Sequence, residues 1–473
     1  MNLREELKNI AGSTNVSDDD FELEAYSKNW GCPTIPRRPI IIVRPINKEQ
    51  IIGIVHLANR TKTPIVPLGG KSNCCDAWPE NAIAIDMTSM NKLIEINEES
   101  LTVTAEAGMH YGELFYKLAK RGWSPGFRIH SMGTATLGGS VALCANGATG
   151  AKYGLLGEQV ICLQVILPNG DVINTGSAAN PQAKKFQRYC YGSDLTGLFI
   201  GSNGIFGIIT EVTLKMYPLP ETHSYFGYQF ETMEAAARTM YEIQKRSFPH
   251  GGMPVESMYL TLGKESLEMR KPPIYAEGII FPLVLAGEKD EVKFYGKKLE
   301  EICLKEGEPI KNIDLSISPL KAWPKRKEGN YGFMRVPFCS NIPTLQVPKI
   351  GREFFRMYKE FEAEKYKIYP NPGFGGHACN QCDITFSAGL SFDYRYPETS
   401  EKTRELVEKY FELGMNLGLA PHYVGLLRQN IVMPKLGNTY ELLKTIKKEL
   451  DPNNIMVPGL LVPSEPKGGV KVG

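Results

Sequence analysis

Apolar runs and a helical repeat alternate near the start of the chain. The apolar run Ile40–Val43 is followed by a helical spacing of apolar positions over Glu49–Ala58 and then by a second apolar run, Pro64–Leu68. Two strands joined through a helix of this length usually pair in parallel. This part of the sequence therefore predicts a small parallel strand–helix–strand unit.

Further along, the pattern predicts more helices and short strands. Tyr111–Arg121 has helical spacing and is followed by Gly122, a residue type common after the last turn of a helix. Two apolar segments flank Pro168–Asp171 and predict a β-hairpin. The helical repeat Thr439–Leu450 ends before an Asp-Pro pair, since proline cannot continue a helix.

The character of the chain changes after Pro218–Pro220. Before this point glycine-punctuated stretches dominate, and after it helical patterns alternate with strands that proline interrupts. We place a domain boundary near residue 220. This boundary and the C-terminal helix divide the chain into residues 1–220, 221–430 and 431–473.

Composition and charge narrow the class of protein. Apolar residues make up 42% and charged residues 22% of the 473 residues, which is ordinary for a globular protein and excludes a disordered chain. With 54 Lys and Arg against 52 Asp and Glu, the net charge of +2 gives no reason to expect nucleic acid or an anionic membrane as partner. Neither an 18-residue apolar run nor a secretory signal is present, which predicts a cytosolic protein whose ten cysteines are thiols or metal ligands.

Glycines are concentrated in residues 124–154 and again in 192–217. Such a density lets the backbone approach a ligand closely and direct several N–H groups at one point, which suits phosphates. The dinucleotide motif G-x-G-x-x-G is absent after the first strand, and a P-loop is incomplete, so a phosphate site would be of another kind. Tight turns in a β-rich region would explain the same glycines.

Four blocks in a fixed order carry a family resemblance. They are PLGGKSN at 67–73, SMGTATLGGSVALCANGATGAKYG at 131–154, DLTGLFIGSNGIFGIITEVTLKMYP at 194–218 and DPNNIMVPG at 451–459. Together they resemble FAD-linked oxidases of the vanillyl-alcohol oxidase and p-cresol methylhydroxylase superfamily, and most of all its glycolate oxidase and D-lactate dehydrogenase branch.

The resemblance implies an α+β fold. In this family a two-subdomain FAD-binding domain of the p-cresol methylhydroxylase type clasps FAD, and an inserted α/β cap domain for the substrate covers the isoalloxazine ring. On this basis residues 1–220 form the FAD-binding domain, 221–430 the cap, and 431–473 a segment that returns to the FAD-binding domain.

The resemblance also implies, motif by motif, which residues hold FAD. Backbone N–H groups and Ser or Thr hydroxyls supply donors to the oxygens of a buried anion. The implied residues are Pro67, Gly69, Gly70, Lys71, Ser72 and Asn73 at the pyrophosphate, Pro125, Gly126, Thr134, Thr136, Gly138, Gly139 and Ser140 along the same wall, Asn146, Gly147, Gly150 and Tyr153 beside it, and Gly204, Gly207, Ile208 and Ile209 at the adenine and ribose.

One position departs from the family pattern. Many relatives have a histidine directly after the glycine pair, where it can bind the flavin covalently, whereas this chain has Lys71. We therefore expect FAD to be bound non-covalently.

The segment NPGFGGHACNQCDITF at 371–386 contains His377, Cys379 and Cys382 in an H-x-C-x-x-C spacing. Two cysteines at this spacing can hold one metal ion, and the histidine is placed to be a third ligand. The same pair also suits a redox dithiol. A glycine-rich turn with two buried free thiols is a third interpretation.

A second candidate segment is GLAPHYVGLLRQN at 418–430. The resembling branch has a Glu-His-Gly motif here, and its metal-containing members use that glutamate and histidines as ligands. Pro421 replaces the glutamate, which puts an inherited metal site in doubt. A softer site that favours Zn or Fe would consist of His377, Cys379, Cys382 and His422.

The same segments supply candidate catalytic residues. Alcohol oxidation needs a base for the hydroxyl proton, and His422 is the best candidate because histidine titrates near neutrality. His377 is a second candidate. Tyr423 and Arg428 are candidate substrate anchors, since an arginine pairs well with a carboxylate. His130 is a weaker candidate beside the glycine-rich wall.

The sequence thus predicts an FAD-dependent dehydrogenase or oxidase that transfers hydride from a 2-hydroxy acid or related alcohol to flavin N5. Two alternatives remain: an enzyme of the same fold for phenolic or benzylic alcohols or alkylphenols, and a flavoprotein electron-transfer subunit of a larger complex. A flavin-free binding protein is more remote. The expected partners are a small-molecule substrate and an unknown electron acceptor, for which a redox protein is one candidate, and a homodimer is the default assembly.

Overall fold

The computed structural model describes residues 2–27, 37–72, 81–247, 252–260, 279–310, 333–336, 338–370, 375–393 and 395–462. Helices and strands are mixed throughout these ranges, and the predicted α+β class is confirmed. None of the helices described there is long and apolar enough to span a bilayer.

The N-terminal part is built on a small sheet. Its elements are α1 (Leu3–Ala11), β1 (Val16–Ser17), α2 (Asp20–Tyr26), β2 (Ile41–Val43), α3 (Lys48–Thr61), β3 (Ile65–Leu68) and β4 (Ile83–Asp86). The strand order is β1-β2-β4-β3, in which β2, β4 and β3 are parallel. Asn47 caps α3 by accepting from the Gln50 amide, and Ile51 and Ile54 of the helix share one core with these strands. The predicted parallel strand–helix–strand unit is confirmed, but its two strands are not paired with each other, because β4 lies between them.

A five-stranded antiparallel sheet follows. The elements of this region are β5 (Leu93–Asn97), β6 (Thr102–Glu106), α4 (Tyr111–Ala119), β7 (Trp123–Ser124), α5 (Leu137–Ala142), α6 (Gly150–Tyr153), α7 (Leu156–Gln159), β8 (Val160–Ile166), β9 (Val172–Asn174), α8 (Leu195–Phe199), β10 (Ile208–Lys215) and β11 (Tyr217–Pro218). The sheet order is β5-β6-β10-β8-β9, and β7 pairs with β11. The predicted helix is present as α4 and the predicted hairpin as β8–β9. The glycine-rich segment 124–154 carries α5 and α6.

The chain beyond residue 220 forms a larger sheet. The elements are β12 (Thr222–Phe230), α9 (Met233–Gln244), β13 (Val255–Leu260), β14 (Ile279–Gly287), α10 (Lys289–Cys303), β15 (Gly307–Pro309), β16 (Phe333–Val336), β17 (Cys339–Ile342), α11 (Val347–Glu360), β18 (Ile368–Pro370), β19 (Gly375–Ala378), β20 (Ile384–Ser387), β21 (Leu390–Asp393), α12 (Pro397–Asn416), β22 (Ala420–Pro421) and α13 (Leu426–Val432). Eight strands follow the order β15-β12-β14-β13-β19-β20-β17-β22, and three others the order β16-β21-β18. The limits of the three predicted domains stay a prediction.

The last helix, α14 (Asn438–Leu450), and the segment after it return to the first sheet. Met456 forms a parallel bridge with Ile65 of β3. The Asp451 carboxylate accepts hydrogen bonds from two backbone amides of the segment after α14, at 3.0 and 2.8 Å. It also pairs with the buried Lys447 ammonium at 2.5 Å. The block DPNNIMVPG thus joins the chain end to the N-terminal part.

Candidate functional site

The loop after β3 and the loop before α5 meet at very close range. A Cβ atom on Gly70 would overlap the Thr134 carbonyl, and one on Gly69 would overlap the Thr136 hydroxyl. A Cβ on Gly139 would lie 3.1 Å from that same hydroxyl. Because glycine has no Cβ, it allows this approach, and two of the four sequence blocks are therefore brought together here.

The polar groups at this junction suit an anion. The Thr136 hydroxyl is buried and has no hydrogen-bond partner, which costs free energy unless a ligand supplies one. Across the junction, the Ser131 hydroxyl donates to the Ser72 hydroxyl at 3.3 Å. Phosphate oxygens accept hydrogen bonds from such hydroxyls. The residues present therefore fit the pyrophosphate of FAD.

Lys71 adds a positive charge next to the glycine pair. Its backbone is left-handed, with a φ of 49°, and its ammonium lies 3.5 Å from the centroid of the Tyr26 ring. Burial lowers the pKa of Lys71 and the charge of Arg44 lowers it further, whereas Asp86 opposes the change. The partly buried cation rests on an aromatic face, and a nearby phosphate would stabilise its charged form.

The predicted adenine side of the site lies against β3. Gly204 has a φ of 80°, and a Cβ there would lie 3.0 Å from the Pro67 ring. A Cβ on Gly207 would lie 2.7 Å from a carbonyl oxygen of β8. Ile208 and Ile209 are buried. The structure thus brings Pro67 and Gly204 together and places the two isoleucine side chains in the core.

Several predicted cofactor residues of the glycine-rich segment 124–154 pack against other parts of the protein. A Cβ on Gly138 would lie 2.6 Å from the Ala107 Cβ, and one on Gly126 would lie 2.7 Å from the Tyr153 ring. The Ser140 hydroxyl donates to a backbone carbonyl in the first turn of α5 at 2.6 Å. These residues therefore make their contacts within the protein.

Four other predicted cofactor residues have different surroundings. Gly147 packs on the Arg128 carbonyl, and a Cβ on Gly150 would lie 2.9 Å from the Cys379 Cα, so Gly150 faces the larger sheet. Pro125 is buried and Asn73 lies outside the described residues. The structure therefore does not gather the whole predicted set at one surface.

Three rings from both halves of the chain meet next to the glycine-rich segment 124–154. His377 on β19 is in register with Tyr259 on β13, and their ring centroids are 5.3 Å apart. The His130 ring lies 5.2 Å from that of His377, and its Nε2 lies 2.9 Å from the Tyr259 hydroxyl. The Nε2 of His377 is buried without a hydrogen-bond partner. Burial, with the repulsion of His130 and His422, lowers the pKa of His377 well below 6.5, so the ring is neutral at pH 7.

His422 presents a second ring nitrogen without a partner. Burial lowers the pKa of His422 to about 4, whereas a hydrogen bond with the Cys144 backbone acts in the opposite direction. The Nε2 atom of His422 is buried and has no hydrogen-bond partner. A neutral imidazole offers one nitrogen lone pair to a proton, as a general base requires.

A chain of side-chain hydrogen bonds starts at Tyr423. Its hydroxyl donates to Asn146 Oδ1 at 2.8 Å, and Asn146 Nδ2 donates to the Thr385 hydroxyl at 3.3 Å. The Thr385 hydroxyl donates to Asn341 Oδ1 at 3.2 Å. Asn146, predicted beside the cofactor, thus ties the glycine-rich segment to the larger sheet and fixes Tyr423.

Arg428 packs between two helices. The side chain is 2% exposed, and its guanidinium carbon lies 5.1 Å from the centroid of the Phe411 ring on α12. Such a cation–π contact holds α13 against α12. Its role as a substrate anchor stays a prediction.

The predicted metal ligands do not come together. The Cys379 thiol is buried and lies 2.7 Å from the Thr385 hydroxyl, and burial raises its pKa to about 12, whereas a metal binds the thiolate. Cys382 is exposed, and both thiols are free. In the described ranges no three His, Cys, Asp or Glu side chains are grouped to hold a metal ion. The structure therefore does not support the expected Zn or Fe site at His377, Cys379, Cys382 and His422.

Sequence reasoning missed Tyr259 and Thr385. Both reach the site through strand pairing, of β13 with β19 and of β19 with β20. Register between distant strands leaves no local pattern at the residue that arrives opposite. Neither residue type carried a signal that could have found it.

Two family models match the chain. The model described as FAD binding domain matches residues 39–176, and the model described as FAD linked oxidases, C-terminal domain, matches residues 360–461. The first match contains the glycine junction. The second contains His377, His422 and the returning C-terminal segment.

Comparisons over the whole chain agree with these matches. The chain is 27% identical to glycolate oxidase subunit GlcD of Bacillus subtilis, over 97% of this chain and 96% of that protein. It is 30% identical to alkyldihydroxyacetonephosphate synthase of Caenorhabditis elegans, over 90% and 76%. The crystal structure of p-cresol methylhydroxylase with substrate bound has the same fold, with a TM-score of 0.81 at 19% identity over 97% and 95% of the two chains. The chain therefore belongs to the FAD-linked oxidases of the p-cresol methylhydroxylase-type superfamily and is an FAD-dependent oxidoreductase.

Proposed function

We propose that the protein oxidises a 2-hydroxy acid or a related alcohol. The observation that carries this proposal is a pair of neutral histidines, His377 and His422, whose buried Nε2 atoms make no hydrogen bond. They lie where strands of the larger sheet meet the glycine-rich wall. The similarity to a glycolate oxidase subunit supports the choice of a hydroxy acid.

In this proposal His422 removes the hydroxyl proton. FAD, which the glycine junction would hold, would supply the acceptor for the hydride of the alcohol carbon. The proton goes to His422 Nε2, the buried ring nitrogen without a hydrogen-bond partner. His377 offers a second acceptor to the substrate hydroxyl, and Tyr423, fixed by Asn146, borders the substrate.

An anionic substrate suits this base better than a neutral one. A histidine with a pKa of about 4 is a weak base at neutral pH. A carboxylate bound nearby would stabilise the imidazolium and raise that pKa. A hydroxy acid is therefore favoured over a phenolic or benzylic alcohol, which is the alternative on the same fold.

Bleaching of the flavin under anaerobic conditions tests the proposal. Glycolate, D-lactate, D-2-hydroxyglutarate and 4-hydroxybenzyl alcohol are each mixed with the purified flavoprotein. We expect a hydroxy acid to bleach the flavin and His422→Asn to slow that step, whereas the exposed-surface control His56→Asn leaves it unchanged. Bleaching by 4-hydroxybenzyl alcohol alone would instead establish the phenolic alternative.

We further propose that FAD is bound non-covalently, because Lys71 occupies the position of the flavin-linking histidine. Acid precipitation of the purified protein is expected to leave the yellow chromophore in the supernatant. A flavin that stays with the pellet would show a covalent bond elsewhere in the chain. A metal has no part in this proposal, since its expected ligands are not assembled.

A role as the flavoprotein subunit of a larger complex is the second candidate. The name of the GlcD relative, a glycolate oxidase subunit, favours it. Reduced flavin that oxygen reoxidises slowly, together with a redox protein that co-purifies at constant ratio, would support this role. A cytosolic location and a homodimer stay predictions.

A further inference from the structure

An arginine and a glutamate face each other next to the three rings. Ile129 forms an antiparallel bridge with Gly147, in the segment after α5, and Arg128 and His130 flank this bridge. His130 contacts Tyr259 on β13, and Arg128 faces Glu256 on the same strand.

A β-bulge directs Glu256 toward Arg128. In the pairing of β13 with β14, Val255 and Ser257 oppose adjacent residues of β14, so Glu256 is the extra residue. Bulges reorient a side chain and are frequent near active sites. The Glu256 side chain is 1% exposed, and its Oε2 makes no hydrogen bond.

The two charges do not close into a hydrogen-bonded ion pair. A terminal nitrogen of Arg128 lies 3.9 Å from Glu256 Oε1, whereas a charge-assisted hydrogen bond spans about 2.7–2.9 Å. The buried Nε of Arg128 has no hydrogen-bond partner. Its guanidinium lies 4.9 Å from the Phe115 ring centroid, and its backbone amide donates to the Thr149 hydroxyl at 2.8 Å, so the residue is fixed in place.

We propose that Arg128 binds the carboxylate of the substrate. A carboxylate accepts from Nε and a terminal nitrogen together, which satisfies the buried donor. His130, two residues along the chain, contacts His377, and in this arrangement the substrate hydroxyl points toward these histidines. The inference rests on the proposed function for the reaction, and it assigns to Arg128 the role of a substrate anchor.

Glu256 then acts as a negative neighbour of the bound anion. Its Oε2 repels a carboxylate on Arg128 and is held 3.5 Å from His223 Nε2. Removal of this charge by Glu256→Gln is expected to strengthen anion binding, whereas removal of the arginine weakens it. A purely structural pair would respond in the same direction to both substitutions.

Two measurements on the FAD-loaded protein test the anchor. The first is the dissociation constant of acetate, an unreactive carboxylate, from the change that it causes in the flavin spectrum. The second compares KM for glycolate and for its neutral analogue glycolamide. We expect Arg128→Met to weaken acetate binding and to raise KM for glycolate by about 10- to 100-fold, while KM for glycolamide changes by less than about threefold. Arg128→Lys should give intermediate values of both constants. Glu256→Gln should strengthen acetate binding and lower KM for glycolate.

Other results would overturn either the anchor role of Arg128 or the proposed function. Equal losses for glycolate and glycolamide, unchanged acetate binding in Arg128→Met, or weaker acetate binding in Glu256→Gln would overturn the inference. If wild-type protein binds acetate through Arg128 but no hydroxy acid bleaches the flavin, the proposed function fails while the carboxylate site stands.

Discussion

At the scale of the residue, space decides what the glycine junction tolerates. A Cβ on Gly70 would overlap the Thr134 carbonyl, and a backbone group cannot move aside as a flexible side chain can. We expect Gly70→Ala to lower the FAD content of the purified protein to below about a tenth, measured as flavin absorbance per protein. Gly133→Ala is the matched control, because a Cβ there meets nothing within 4 Å. Equal FAD content in both variants would mean that the cofactor does not bind at this junction.

The lone pair of His422 gives a second prediction at this scale. Its pKa of about 4 keeps the ring neutral over the physiological range, so kcat/KM should be level toward acid from pH 7 and fall only as the pH approaches about 4. His422→Asn is expected to lower kcat by about 10²- to 10⁴-fold and to remove that acid limb. The pH profile of kcat/KM checks both. An acid limb near 6.5 would show a base in ordinary surroundings and contradict the assignment.

At the scale of the element, a buried ion pair stabilises the turn after α14, whose Met456 pairs with β3. Besides Asp451, the Lys447 ammonium donates to the carbonyls of Ile205 and Met456 at 3.0 and 2.7 Å. Lys447→Met would leave the Asp451 carboxylate buried without its cation, and we expect the free energy of unfolding to fall by about 3–5 kcal/mol in urea titration. Lys448→Met, the exposed neighbour on the same helix, should change it by less than about 0.5 kcal/mol. Similar losses in both variants would show that the pair adds nothing specific.

Elements with a local repeat could be predicted from the sequence, and contacts between distant elements could not. The periodicity of α3 and the runs on either side specify a parallel unit without further information. By contrast, H-x-C-x-x-C suggested a metal site, yet Cys379 packs into the larger sheet, where Thr385 satisfies its thiol, and Cys382 stays exposed. Strand register decides these directions. The four family blocks predicted the glycine junction because close backbone approach leaves a mark in the sequence itself.

At the scale of the whole molecule, the candidate site exists only because two halves of the chain meet. The Lys152 ammonium of α6 donates to the Ala286 carbonyl of β14 at 2.8 Å, and a few residues earlier Asn146 holds Tyr423. The same glycine-rich segment that borders the proposed FAD site therefore also fixes the larger sheet.

Two neutral histidines with buried Nε2 atoms also make the stability of the whole molecule depend on pH. The pKa of His422 is lowered to about 4 and that of His377 well below 6.5, so the unfolded chain binds more protons as the pH falls below 6.5. The free energy of unfolding should therefore have its highest value above pH 6.5 and decline as the pH falls toward 4. His422→Asn, which cannot titrate, is expected to reduce this decline by at most about 3 kcal/mol, measured by urea unfolding at pH 7 and pH 4.5, whereas the exposed control His56→Asn keeps the wild-type decline. If His422→Asn declined as steeply as the wild type, the ring would be charged in the folded protein, and a neutral His422 could no longer be the base.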